Sequence, residues 1–322
     1  MSLPRLVVGV FSLGLMVACA GVVSAQDYPS KPVRIVVPGA GGGGDFAARL
    51  IAQGLSGPIG QQVLVDNRPI GFIPADTVAK APPDGYTLLL SGSGMWLQPF
   101  LRNDVPWDPV RDFLPVTLAV STPNMIIVNA SLPVKSVKDL IALAKARPGE
   151  LNYGGSGSEG SPNHLAAELF KSMARVNIVR VPYKANAQAL TDLLSGEVQL
   201  MFSTPGGAMQ HVKSGRLRAL AVTTAKPSAL LPGLPTVAAS GLPGYESTSI
   251  YGVFAPAKTP APVINRLNQE IARVLHRTDV KEKFLNTGSE VVGSAPEELA
   301  AFVKYEMSRL GKVIKDAGIR AD

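Results

Sequence analysis

The chain has 322 residues, 46% hydrophobic and 17% charged, with a net charge of +7 at pH 7 and a single cysteine. That length predicts two domains with sizeable cores, and lone Cys19 excludes a disulfide framework. The basic charges are dispersed without interleaved aromatics, which excludes the nucleic-acid pattern, and His164, His211 and His276 lack metal-ligand spacing, so neither a metal nor another cofactor is expected.

Residues 1–25 read as an export signal. Arg5 supplies the charge, 6–18 is almost unbroken apolar sequence, and Val23-Ser24-Ala25 offers small residues for cleavage after Ala25. An uncleaved anchor is the alternative, because the apolar run extends to Val23. A lipoprotein at Cys19 fits less well, with Met16 opening the box. Without Arg5, 30 basic residues face 24 acidic ones, a net +6. No later stretch reaches the roughly 18 apolar residues of a membrane span.

Residues 33–49 then organise the chain: a β-branched apolar run, the glycines Gly39 and Gly41 to Gly44, and a helix. Ala47, Leu50, Ile51 and Leu55 give that helix one buried face, and Gly57-Pro58 stops it. A strand entering a helix through glycines leaves free N–H groups at the helix start, a ready anion site. Gly39, Gly41 and Gly44 with Asp66 also satisfy the dinucleotide fingerprint, so an NAD-dependent oxidoreductase competes as a reading.

Apolar strand-like runs alternate with helical patterns through the rest of the chain, predicting parallel sheets in an α/β fold. The runs at 63–65 and 86–90 are strands, with a helix through Thr77-Val78-Ala79 between them and the loop Ser91-Gly92-Ser93-Gly94 after the second. Runs at 113–120 and 125–128 offer a crossing into a second domain. Ser136 is a fitting N-cap for the helix that ends at Pro148-Gly149. Tyr153 then leads into a second loop, Gly154-Gly155-Ser156-Gly157-Ser158-Glu159-Gly160-Ser161, with Pro162 at the first helical position. Strands follow at 178–182, 198–202, 217–223 and 249–255. One closing helix carries Ile264, Leu267, Ile271 and Val274; the other carries Leu299, Val303, Met307, Leu310 and Ile314.

Two glycine- or serine-rich strand-to-helix loops, one in each half, place anion donors at the carboxyl ends of two sheets. Facing each other across a hinge, they form the cleft of a two-domain periplasmic binding protein. Neither loop has the Gly-Lys-Ser/Thr that grips a nucleoside triphosphate.

Several motifs carry a family resemblance. They begin with Tyr28-Pro29-Ser30-Lys31-Pro32 and its following strand, Asp66-Asn67-Arg68-Pro69, and Pro83-Asp84-Gly85-Tyr86-Thr87-Leu88-Leu89. The second loop through His164, Val181-Pro182-Tyr183-Lys184, and Leu190-Thr191-Asp192-Leu193-Leu194-Ser195-Gly196 come next. Leu217-Arg218-Ala219-Leu220-Ala221-Val222-Thr223 and Leu234-Pro235-Thr236-Val237 complete the set. In this order, over about 210 residues, the chain resembles the substrate-binding receptors of the tripartite tricarboxylate transporters, the Bug or TctC family.

The resemblance implies a type II-like fold of two Rossmann-like sheets joined by a hinge, with no enzymatic activity. It implies domain I over 26–123 and 252–322 and domain II over 124–251, in a periplasmic monomer. The partners it implies are a small di-, tri- or aromatic carboxylate and the membrane subunits of the transporter. Carried over by position, the ligand-binding set is Gly41, Gly42, Asp45 and Phe46, with Ser156, Ser158, Gly160, Ser161 and His164. Ser91 and Ser93, and Ala185, Asn186 and Ala187, join it at the ends of neighbouring strands. Bland roles compete: Asp45 as an N-cap, His164 as a packed helix residue, Gly41 and Gly42 as turn formers, Lys184 in solvent, Trp96 and Phe72 in the core.

Two departures bear on the ligand. Many relatives follow Met201-Phe202 with an acidic residue suited to a ligand amine, and this chain has Ser203. Relatives are glycine-rich after Pro69, whereas this chain has Ile70-Gly71-Phe72-Ile73-Pro74, which adds apolar surface. Both favour a dicarboxylate or aromatic carboxylate over an amino acid. A sensor of the same fold, handing its ligand to a signalling receptor, shares every one of these residues.

Overall fold

The computed structural model describes residues 28–40, 43–69, 71–156, 161–183 and 186–320. The export signal and Cys19 lie outside the described residues. Within them no helix is long and apolar enough to cross a membrane.

The chain opens with β1 (Val33–Pro38), α1 (Gly43–Leu55), β2 (Val63–Arg68), α2 (Ile73–Ala79), β3 (Thr87–Ser91) and α3 (Ser93–Leu101). β1 is paired in parallel with β2 on one side and β3 on the other. Every residue of β3 is buried, as expected of a strand covered on both faces. The face of α1 bearing Ala47, Ala48, Ile51 and Leu55 is buried too. Gly54 lets α1 lie tight against its neighbour, since a Cβ there would sit 2.2 Å from Val274 Cγ1.

β4 (Phe113–Pro123) joins the same sheet, and one residue later β5 (Met125–Asn129) opens the other. The second half supplies α4 (Val137–Ala146), β6 (Asn152–Ser156), α5 (Pro162–Ala174) and β7 (Val179–Tyr183). Then come α6 (Asn186–Ser195), β8 (Leu200–Ser203), α7 (Pro205–Lys213) and β9 (Leu217–Val222). Ser136 caps α4 as expected, its hydroxyl accepting the Asp139 N–H. β10 (Thr248–Pro256), α8 (Ala261–Leu275), α9 (Thr278–Asn286), β11 (Glu290–Val291) and α10 (Pro296–Asp316) return to the first sheet.

The strand orders are β11-β4-β10-β3-β1-β2 and β7-β6-β8-β5-β9. The two-sheet α/β architecture agrees with the sequence expectation. The sheets, however, are mixed, not parallel: β10 is antiparallel to both β3 and β4, and β5 to both β8 and β9. Alternating helix and strand patterns reveal crossovers but not the direction of a strand that returns from another sheet. β10 enters the first sheet at Thr248, four residues ahead of the boundary drawn at 252. Short α3, α7 and α9 were also not resolved as helices from periodicity, each being nine residues long.

The two crossings between sheets lie side by side. Asn124, fully buried, shares two side-chain contacts with Ser249, and Thr223 Oγ1 donates toward the Asn124 and Ser247 carbonyls. Behind them one apolar cluster takes residues from both sheets: Leu89 and Phe254 from the first, Tyr153 and Phe202 from the second, Leu299 and Leu310 from α10. Arg309 of α10 donates to the Glu246 carbonyl, and the Tyr245 hydroxyl donates to the Ala166 carbonyl at 2.8 Å. Trp96 is fully buried in this cluster and Phe72 packs on it, so both serve the core.

Candidate functional site

A cleft of about 460 Å³ takes its lining from both sheets. Gly43 and Phe46 of α1, Val120 and Thr122 of β4, and Ser249 and Tyr251 of β10 form one side. Phe284, Thr287 and Ser289, at the end of α9 and just beyond it, extend that side. Ser161, Pro162 and Asn163 at the start of α5, and Thr204 before α7, form the other.

Three helix amino ends therefore reach one cavity. Ser161 and Thr204 are N-caps with extended backbone (φ −62°, ψ 154° and φ −69°, ψ 155°), each followed by proline in the first turn. Proline there sacrifices no helical hydrogen bond, and the remaining first-turn N–H groups carry partial positive charge. No described residue lining the cleft is an aspartate, glutamate, lysine, arginine or histidine. Among the described residues the site offers dipoles and hydroxyls to an anion and no carboxylate to an amine. Its apolar side is aromatic: the Phe46 and Phe284 rings meet edge to face, 5.7 Å between centroids.

At α1 the helix start is covered from another strand. The Tyr251 phenol of β10 lies over the start of α1. The tyrosine ring lies so close that a Cβ on Gly43 would stand 3.0 Å from Oη, and one on Gly44 3.0 Å from Cε1. Burial raises the Tyr251 pKa, with the Gly44 backbone acting the other way, and the phenol stays protonated.

At α5 the support is ionic and buried. Glu168 Oε1 accepts the Tyr153 hydroxyl at 2.9 Å and the Lys171 ammonium at 2.7 Å, with His164 Nε2 at 3.8 Å. Burial first, and the Arg180 charge second, push the His164 pKa down to about 4, although Glu168 acts the other way. His164 is thus neutral at physiological pH, and its approach to Glu168 is not an ion pair.

Of the residues proposed from sequence, Phe46 and Ser161 line the cleft. Asp45 is buried and turned to structural work: Asn67 Nδ2 donates to its Oδ1 at 2.9 Å and to the Gly39 carbonyl at 2.6 Å, and Arg49 pairs with it at 3.0 Å. Ser91, Ser93 and His164 are buried away from the described lining. Ser203 is buried too, its hydroxyl donating to the Thr204 carbonyl, and it sets Thr204 at the rim. Asn186 and Ala187 begin α6 outside the described lining. Ser156 ends β6. Gly41, Gly42, Ser158, Gly160 and Ala185 lie outside the described residues.

Asp66 of the dinucleotide fingerprint receives Arg34 at 3.4 Å and Arg68 at 2.9 Å. Among the described residues no three His, Cys, Asp or Glu side chains gather as metal ligands. The sequence reading missed Tyr251 and Ser249, and Val120 and Thr122. A signal existed, because each pair is spaced by two along a strand and so shares one face. Phe284, Thr287 and Ser289 gave no such signal.

The Tripartite tricarboxylate transporter family receptor description, TctC, matches residues 47–319. Protein BugT of Bordetella pertussis is 35% identical over 320 residues, covering 96% of this chain and 97% of its own. Rpa4515 of R. palustris, solved with adipate, superposes with TM-score 0.77 at 42% identity, covering 91% of this chain and 99% of its own. MatC of Rhodopseudomonas palustris, solved with bound malate, gives TM-score 0.75 at 29% identity, covering 89% and 100%. With that span matched end to end, the chain belongs to the TctC family of tripartite tricarboxylate transporter receptors, which are periplasmic solute-binding proteins and not enzymes.

Proposed function

We propose that this receptor captures a small carboxylate with an apolar body, a medium-chain dicarboxylate or an aromatic carboxylate. Its carboxyl groups sit at the helix amino ends and its body lies along Phe46 and Phe284. The observation that carries this reading is a cleft fed by three helix amino ends and lined by hydroxyls, with no charged side chain among its described residues. The adipate and malate of the solved neighbours are consistent with it. The aromatic pair and the serine after Phe202 favour adipate-like or ring-bearing acids over amino acids. Residues 1–25 export the chain, and the two lobes close as a monomer about the crossings at Asn124 and Thr223. The loaded receptor then docks on the membrane subunits of a tripartite tricarboxylate transporter.

The test is thermal unfolding of the exported chain against adipate, succinate, malate, citrate, terephthalate, protocatechuate, glutamate and NADH. A ligand at 100 times its Kd adds about 2.7 kcal/mol, a shift of several degrees. The expected result is a shift with adipate or terephthalate and none with glutamate or NADH. A shift with glutamate alone overturns the chemical class.

A further inference from the structure

We propose that the hydroxyl pair of Thr122 and Ser289 receives the far carboxylate of the ligand and makes this receptor prefer diacids to monoacids. This rests on the reading of the cleft as a carboxylate site. β11, β4 and β10 lie side by side and antiparallel, with Glu290 opposite Ser121 and Ser249 opposite Thr122. Ser289, one residue before Glu290, continues that register to Thr122, and the two hydroxyl oxygens lie 2.9 Å apart. Directly opposed residues of neighbouring strands project to one face, so Ser289, Thr122 and Ser249 form a row of hydroxyls across three chain segments. All three are buried, and all three line the cleft.

The protons of this row do not all find acceptors. Ser249 exchanges contacts with the Asn124 amide at 3.2 and 3.3 Å. Thr287 Oγ1 lies 3.4 Å from Ser289 Oγ but has the Phe284 carbonyl at 2.8 Å for its own proton. Thr122 and Ser289 each carry a proton, and the bond between them uses one. The other has no acceptor among the described residues. A hydroxyl proton left over in a buried, polar corner of a cavity calls for an acceptor from the ligand, and the bond behind it strengthens its donation. The corner faces the start of α7: a Cβ on Gly288 (φ 75°) would stand 3.2 Å from Pro205 Cβ. An acid held by one carboxylate at the amino ends of α5 and α7 therefore presents its far end to this pair. A second carboxylate takes the proton in a charge-assisted bond, whereas a methyl or ring terminus leaves it unpaired.

Calorimetric titration of the exported chain tests this with two matched pairs, adipate with hexanoate and terephthalate with benzoate, each monoacid being read by competition against its diacid. Wild type should favour the diacid. The double variant Thr122→Val with Ser289→Ala removes the donor whichever hydroxyl carries it. Its preference for the diacid should fall by about 10- to 100-fold, through the diacid affinity alone. Of the single variants, the one that loses more identifies the terminal donor, and Thr122→Ser should keep the wild-type preference. Should the double variant not fold, at least one single variant must lower the preference. Wild type that binds the two acids of a pair equally overturns the proposal. So does an unchanged preference in every variant, and so does an equal loss for diacid and monoacid, which would make the pair a structural tie between β4 and the turn after α9. Wild type that binds none of the four acids overturns the carboxylate reading itself.

Discussion

The amino ends of α1 and α5 face the same cleft and are built in opposite ways. α1 begins on glycines, on which Tyr251 packs from a strand some two hundred residues later. α5 brings its own cap, Ser161, and stands on a buried cluster of its own side chains with Tyr153. The first end is assembled from distant pieces, the second from local ones. Breaking the buried support of the second should therefore cost more fold stability than breaking the support of the first.

The largest effect expected is from Glu168→Ala. It strips the Lys171 ammonium and the Tyr153 hydroxyl of their buried acceptor and should cost about 3 kcal/mol in urea unfolding. The second concerns pH. Unfolded His164 takes up a proton near 6.5, whereas in the fold it stays neutral down to about 4. The unfolded chain binds more protons in that window, so stability is full above 6.5 and falls as the pH drops toward 4, by on the order of 3 kcal/mol or less. His164→Gln should flatten this part of the melting-temperature profile; an unchanged profile would assign the acid sensitivity elsewhere.

Ser161→Ala comes next. Losing a hydroxyl bond to a charged carboxylate should weaken adipate binding by about 1.5–3 kcal/mol in calorimetry, with a smaller change in stability because the Ser161 side chain makes no capping bond to α5. The smallest change is expected at the α1 loop. Asn67→Ala removes the bonds to Asp45 and the Gly39 carbonyl, at about 1–2 kcal/mol of stability by urea unfolding. If Asn67→Ala destabilises more than Glu168→Ala, the contrast between the two ends is wrong.

What the sequence made legible was local. Glycine or serine runs feeding amphipathic helices marked both loops, and Ser161-Pro162 marked a helix start to the residue, because cap chemistry acts within one turn. Phe46 came instead through the family resemblance. Asp45 reads in sequence as either a cap or a ligand group, and the structure shows it bonded to Asn67 and paired with Arg49. A short carboxylate cannot report in sequence which of its neighbours it will meet. Tyr251 and Phe284 come into the cleft through β10's antiparallel insertion and through α9, neither of which leaves a periodicity near the glycine loops. The Ile70 to Pro74 segment was expected to add apolar surface at the cleft. The structure seats Phe72 on the core, and the aromatic wall is supplied by Phe46 with Phe284.

The apolar cluster that runs from Leu89 through α10 to Phe202 has a consequence for how the molecule comes apart. Neither sheet can expose the face that this cluster covers while the other keeps its own, because α10 packs in the same cluster. The slowest-exchanging backbone amides of β3 and β6 should accordingly share one opening free energy, and calorimetric and van't Hoff enthalpies should agree. A receptor built from two lobes would then melt as one cooperative unit, and an acid bound between them would protect amides on both sides alike.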